Sequence, residues 1–362
     1  MDWDADPIDI GANVGWYPAS SGDSDTMIFI DQAKGARPFF LGGGDAGAQA
    51  AITFDDNGYA ENLGAGVFAT SVLLNRSTAV SGIAPYTGEF RLYGSGDGDI
   101  RIDVAGQGAV LGRTATGGLP TEVIGGVSYW YVDFAYAPPG PGDNGVRLKV
   151  WGSGGAGHIQ DLSVVHHSHL EAYRAGETFT PEILADLANY DTLRFMEWMS
   201  ATKYEEDATG AAIDPEGRWI TPDAFTYNTR AGDAATGNVF TSSAPISELV
   251  ALANAVGANP WISLPVDITD ARARQIATYV GEMLAPGLTV FWEYGNELWN
   301  SAEGFEGYRY AERMGGELFG LTGDSAVATA VAKWEGELDE AVFRAQDNLS
   351  AHVDDRDSAS PA

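Results

Sequence analysis

Between residues 46 and 157 apolar and polar positions alternate in short runs: AITF, GVFATSVLL, GEFRLYG, DIRIDV, YWYVDFAY and VRLKVW. Gly, Asp-Asn-Gly and Pro-Pro-Gly separate them, and PPGPGDNG (138–145) reads as a turn or loop between the last strands. A period of two interrupted by such breakers predicts an antiparallel β-sandwich. After GSGGAG (152–157) the period changes, and strand-like runs alternate with helical ones. HIQDLSVVH, TLRFMEW, NPWISLP and the near-continuously apolar LTVFWEY read as strands, the last as a parallel strand covered on both faces. FTPEILADLANY reads as a helix with Thr180 as N-cap, Pro181 at its first position and Glu182 in its first turn. SAPISELVALANAVG is a helix closed by Gly257, and TDARARQIATYVGEML one capped by Thr269, with Ile276, Val280 and Met283 on one face. That makes about four β/α units, the first half of a (β/α)8 barrel or part of a doubly wound sheet.

The predicted fold class is therefore α/β plus all-β: an antiparallel β-sandwich followed by a partial (β/α)8 barrel. Residues 1–45, with IDIGANVGWY and FIDQAKGARPFF, read as a strand and turn segment packing with the barrel. The sandwich spans 46–157, the partial barrel 158–345, and 346–362 is a polar, disordered tail. Residues 199–243 are a long loop after the second strand, polar and rich in Gly, Thr and Asp; barrel loops of this kind sit at the face where sites are built.

Composition narrows the chemistry. The 362 residues include no cysteine, so disulfides and thiolate metal sites play no part. The formal charge of −31, from 51 acidic and 20 basic residues, is spread along the chain. Such a surface repels phosphate backbones and anionic lipids, which argues against nucleic-acid and membrane partners. No apolar run approaches membrane-spanning length, and MDWDADPIDIGANVGWYP is not a signal peptide as it stands. An acidic, Gly-rich, Cys-free chain fits type I secretion, without its tandem repeats; the expected location is extracellular. His166, His167 and His169 follow HIQDLSVV without helical metal spacing, and Gly42-Gly43-Gly44 lacks the context of a phosphate loop. Neither a metal nor a cofactor is expected.

The segment FWEYGNELWN (291–300) carries the chemistry. Counting back from Glu297 by twos reaches Gly295, Glu293 and Phe291, one face of a strand. On an inward face, Glu297 would stand at the mouth, with Asn296 and Trp299 flanking it. Glu293 would sit a layer below, needing a partner, for which Arg194 in LRFMEW is the candidate. Read without context, Glu297 caps the following helix or is solvated at a strand end. Trp198 and Trp299 lie at strand ends, where aromatic rings stack on the C–H faces of sugars, with Tyr204 close by; Trp261 and Trp292, within strands, read as core.

WEYGNELWN at the end of a fourth strand resembles the acid/base motif of clan A glycoside hydrolases, retaining (β/α)8 enzymes. GANVGWY, FIDQAKGARPFF, LRFMEWMSATKY, ISELVALANAVGANPWISLP and LAPGLTVFWEYGNELWN resemble a bacterial cellulose-binding or glycosidase-like subset. The likeness covers roughly 8–320. It implies Glu297 as acid/base, Asn296 bonding the sugar 2-hydroxyl, and a polysaccharide or oligosaccharide as partner. Two departures stand against it. Val266 occupies a place where such relatives usually carry His. Their nucleophile ends a seventh strand, whereas after residue 300 this sequence reads as two helices and a polar tail. The expectation is a truncated chain hydrolysing glycosides near background, with open sheet edges prone to self-association. Glu197 is the first candidate for a second carboxylate, although a structural role beside Arg194 or Lys203 explains it too; Asp267 is next. The alternatives are a non-catalytic carbohydrate-binding protein and a structural adhesin.

Overall fold

The computed structural model describes residues 11–14, 27–41, 53–61, 63, 67–74, 87–137, 145–152, 157–196, 198–199, 201, 223–231, 239–301 and 306–333. The fold is mixed α/β, with mostly antiparallel sheets. The chain forms two compact units, 16–186 with 220–242, and 1–15 with 187–219 and 243–362. No helix among the described residues is long and apolar enough to cross a membrane.

Within the second unit β1 (Gly11–Asn13), β11 (Thr192–Phe195), β14 (Asn259–Leu264) and β15 (Phe291–Tyr294) form an all-parallel sheet in that order. In the other unit, β2 (Phe40–Leu41), β3 (Ala69–Leu74), β9 (Val146–Gly152), β5 (Gly98–Val104) and β6 (Gly108–Ala115) make one antiparallel sheet. A second comprises β10 (Gln160–His166), β4 (Gly88–Ser95), β8 (Val127–Tyr136) and β7 (Thr121–Ile124). Phe90, Leu92, Phe134 and Val164 from one sheet and Ile100, Ile102, Leu148 and Val150 from the other share a single core cluster. Burial of each such side chain is worth about 1.5–3 kcal/mol. At Gly94 an added Cβ would come within 2.3 Å of the ring of Trp130, its register partner on β8, so the cross-strand indole takes the place of a side chain there. A short helix, α1 (Leu170–Arg174), contributes Leu170, Ala172 and Tyr173 to a separate cluster with Ile30, Tyr93 and Val165.

The structure revises the expected organisation in three places. HIQDLSVVH is a strand, β10, but it runs antiparallel beside β4 instead of opening the parallel sheet. A bulge at Asp161, whose φ is 53°, accompanies its register shift. The first parallel strand is instead GAN at 11–13, paired with β11. The expected loop 199–243 contains an antiparallel ribbon of β12 (Asn228–Ala231) and β13 (Val239–Ser242). Phe225, just ahead of it, stacks on Phe39 at 5.1 Å inside the antiparallel core. β6 and β7 were not legible as strands: β6 is largely exposed, and its GAVLGRTA lacks clean alternation.

Helix ends follow local chemistry. The Thr180 hydroxyl accepts from the Ile183 amide at the start of α2 (Pro181–Leu187). α3 (Ile246–Val256) ends at Gly257 with φ 73°, and Thr269 accepts from the Arg272 amide to cap α4 (Asp270–Met283). Ile276 and Val280 of α4 are buried, whereas Met283, expected beside them, is exposed because the helix ends there. α5 (Glu306–Phe319) precedes a helical run over 323–333. The two approach so closely that a Cβ on Gly315 would sit 2.2 Å from the Ala326 carbonyl oxygen.

Candidate functional site

In the parallel sheet Leu193, Phe195, Ile262 and Leu264 are fully buried, and α3 packs on β14. Alternation turns Arg194, Trp261, Ser263, Phe291 and Glu293 to the opposite side. The register sets Arg194 beside Trp261, Trp261 beside Phe291, and Ser263 beside Glu293.

These neighbours form a closed network. Arg194 Nη2 donates to Glu293 Oε1 and Oε2, each at 2.8 Å, and Nε reaches Oε2 at 3.2 Å. Ser263 Oγ and Trp261 Nε1 also donate to Oε2, at 2.7 and 3.1 Å. The guanidinium lies 4.9 Å from the Trp261 ring centroid. Arg194 Nη2 further donates to Asn296 Oδ1 at 3.0 Å, so the amide of this buried residue is anchored by its oxygen. A partly buried carboxylate with this many donors is an electrostatic anchor for the strand ends.

Beyond β15 the backbone turns sharply. Gly295 has φ 69°, and its missing Cβ would strike Val266 and Leu298 at 2.7 and 2.6 Å. Glu297 has φ 50°, a left-handed conformation that costs a residue with a side chain about 1–2 kcal/mol. The alternation used to count back from Glu297 therefore ends at Tyr294, and Glu297 stands on the turn, not the strand. Its carbonyl accepts from the Asn300 amide at 2.8 Å, and its Oε2 accepts from Asn300 Nδ2 at 3.0 Å. Val266 and Leu298 form a small core under this turn, and the Tyr294 hydroxyl donates to the Val266 carbonyl.

Glu297 faces a cleft of roughly 760 Å³ lined by Trp261, Trp292, Glu293, Tyr294, Trp299 and Leu298, and on the helical side by Tyr308, Asp324, Val327, Ala328 and Val331. Trp299 is 75% exposed. The Trp292 indole nitrogen is buried and has no acceptor among the described residues. Tyr308 donates to Asp324 at 2.8 Å.

Arg194, Glu293, Asn296, Glu297 and Trp299 thus gather at one end of the sheet. Trp198 does not join them. It is 0% exposed, packs edge-on against Phe195 at 5.0 Å, and offers no face to a ligand; the chain leaves β11 at Phe195 and folds the ring back into the core. Conversely Trp261, read as core, is 38% exposed. Trp261 and Ser263 escaped the sequence reading as site residues, although their offset from Arg194 and Glu293 across neighbouring strands follows once the register is known. Asp267 is buried after β14 and absent from the cleft lining. Glu197 and Tyr204 lie outside the described residues. Among the described residues no group of His, Asp and Glu could hold a metal ion. The histidines that follow β10 make ordinary polar contacts: His167 with Asp133 at 3.1 Å, and His169 with Glu182 at 3.0 Å.

No protein-family model, curated protein or solved structure matches this chain.

Proposed function

We propose that this is a carbohydrate-active protein whose cleft takes a β-linked plant- or algal-type polysaccharide, with Glu297 as acid/base. The observation that carries the reading is the backbone of Glu297. A left-handed, non-glycine residue on the turn that follows a parallel strand, lining an aromatic cleft, is strain of the kind that persists where a side chain must be presented. On this reading Glu297 protonates the glycosidic oxygen. Trp299 stacks beneath a pyranose ring, while Asn296, buried and outside the cleft lining, anchors through Arg194 the turn that presents Glu297. The four parallel strands count as part of a (β/α)8 barrel, and the antiparallel sheets as a β-sandwich. An extracellular setting belongs to the same proposal.

A second reading, binding without turnover, is favoured by one observation. The other carboxylates lining the cleft are already engaged, Glu293 by Arg194, Ser263 and Trp261, and Asp324 by Tyr308. The deciding experiment assays purified full-length protein and Glu297→Gln on a panel of β-linked polysaccharides and aryl glycosides, with calorimetry alongside. The acid/base role requires that turnover above background falls by several orders of magnitude in Glu297→Gln. Binding with no turnover in either protein establishes the second reading. Turnover that survives the substitution removes Glu297 from the mechanism, and absence of both binding and turnover removes the carbohydrate reading altogether.

A further inference from the structure

Glu297 opens a turn that runs through Leu298 and Trp299 to Asn300, and Asn300 closes it twice. Its backbone amide donates to the Glu297 carbonyl at 2.8 Å, and its side-chain Nδ2 donates to the Glu297 carboxyl oxygen Oε2 at 3.0 Å. The rest of the turn is pinned from other directions. Leu298 is buried with Val266, and a Cβ added at Gly307 of α5 would come 2.7 Å from Leu298 Cδ2. Asn296, just before the turn, is held by Arg194. With the backbone fixed, the freedom left to Glu297 lies in its side-chain torsions, and the Asn300 amide is what restricts them. Among the described residues Oε1 of Glu297 has no hydrogen-bond partner. Glu297 lines the cleft and Asn300 does not. An amide N–H donates to a lone pair, and on a neutral carboxyl the carbonyl oxygen is the better acceptor. A donor fixed on Oε2 therefore selects the form whose proton sits on Oε1.

We infer that Asn300 is a positioning residue for Glu297: by holding Oε2 it keeps the transferable proton on Oε1, the oxygen left for the substrate. The inference rests on the acid/base reading of Glu297 and adds to it the group that orients the acid. In the step it serves, the Oε1 proton passes to the glycosidic oxygen as the bond from that oxygen to the anomeric carbon breaks, the electron pair staying on the oxygen. Water then forms the new C–O bond at the anomeric carbon and returns a proton to the Glu297 carboxylate. Asn300 acts on this sequence only through Glu297.

The test measures kcat/KM of full-length wild type, Asn300→Ala, Asn300→Asp and Glu297→Gln at pH 7 on β-linked aryl glycosides whose leaving groups run from dinitrophenyl through nitrophenyl to phenyl. Each protein is checked for an unchanged near-ultraviolet circular dichroism spectrum. Dinitrophenolate departs without a proton and phenolate needs one, so a defect in the acid grows along the series. Asn300→Ala is expected to lose about 10- to 30-fold on phenyl glycosides, part of the roughly 10²–10⁴ that a positioned acid supplies, and less than about threefold on dinitrophenyl ones. Asn300→Asp keeps the side chain's shape and the backbone bond of the turn but puts a carboxylate, ionised at pH 7, where the donor was; it should lose at least as much. Glu297→Gln should show the same trend more steeply. A loss equal for every leaving group, or full activity in Asn300→Asp, reduces Asn300 to a turn residue and overturns the inference while Glu297 keeps its role. No turnover by the wild type, or turnover undiminished in Glu297→Gln, overturns the acid reading and the inference with it.

Discussion

Replacing Arg194 by Met tests whether the network at the strand ends is as tightly held as its geometry indicates. The substitution keeps an unbranched apolar stem against the Trp261 ring but removes the charge that pairs with Glu293 and the donor to Asn296. The two side chains are 21% and 26% exposed, between an exposed pair, worth about 0–1 kcal/mol, and a buried one, whose disruption costs about 3–5 kcal/mol. Glu293 retains Ser263 and Trp261 as neutral donors, which softens the loss of its counter-charge. An intermediate cost of about 2–3 kcal/mol follows. The chain has two compact units, so a single global transition is a poor readout. Hydrogen exchange with mass spectrometry reports the site itself. Amides in peptides spanning 259–264 and 291–296 should exchange roughly 30- to 150-fold faster in Arg194→Met, at about 1.4 kcal/mol per factor of ten. Peptides covering β4 and β8 should be unchanged. Acceleration below about threefold at β14 and β15 would show that the ion pair is a surface ornament worth no more than an exposed one.

Two further predictions concern stability. Trp198→Ala should cost about 3–5 kcal/mol through the cavity left beside Phe195, whereas exposed Trp299→Ala should change stability by less than about 0.5 kcal/mol. Hydrogen exchange of β11 and β14 peptides, in the unit that holds both residues, compares them, and equal acceleration would contradict the assigned burial. In the antiparallel unit the Arg91 guanidinium holds the Asp133 carboxylate below its ordinary range, and Arg174 does the same to Glu122. A depressed carboxylate contributes stability above its ordinary value of about 4 and loses it as pH falls through the lower folded value. The unfolding temperature followed by near-ultraviolet circular dichroism should therefore fall from pH 5 to pH 2.5, less steeply in Arg91→Met; parallel slopes would sever Arg91 from the acid response.

Local patterns in the sequence determined which segments become strands and helices and where several helices start and stop. The runs around β4, β5, β8 and β9 alternate because one face of each is buried, and period alone reveals that. Thr269 and Gly257 mark helix ends through bonds and φ angles that span only a few residues. The meeting of Arg194 with Glu293 was also legible, since an inward charge requires a partner and the fourth parallel strand had few to choose from. Sheet membership was not. HIQDLSVVH has the same alternation whether it pairs with β4 or opens a parallel sheet, and GAN at 11–13 is too short to announce itself, because pairing depends on edges far away in sequence. The same limit governed the tryptophans. Trp198 and Trp261 differ in burial because one lies past a strand's last paired residue and the other sits on the sheet face that borders the cleft. Periodicity assigns a residue to a side of its strand, but only the tertiary structure decides where the strand stops and which side of the sheet is left open.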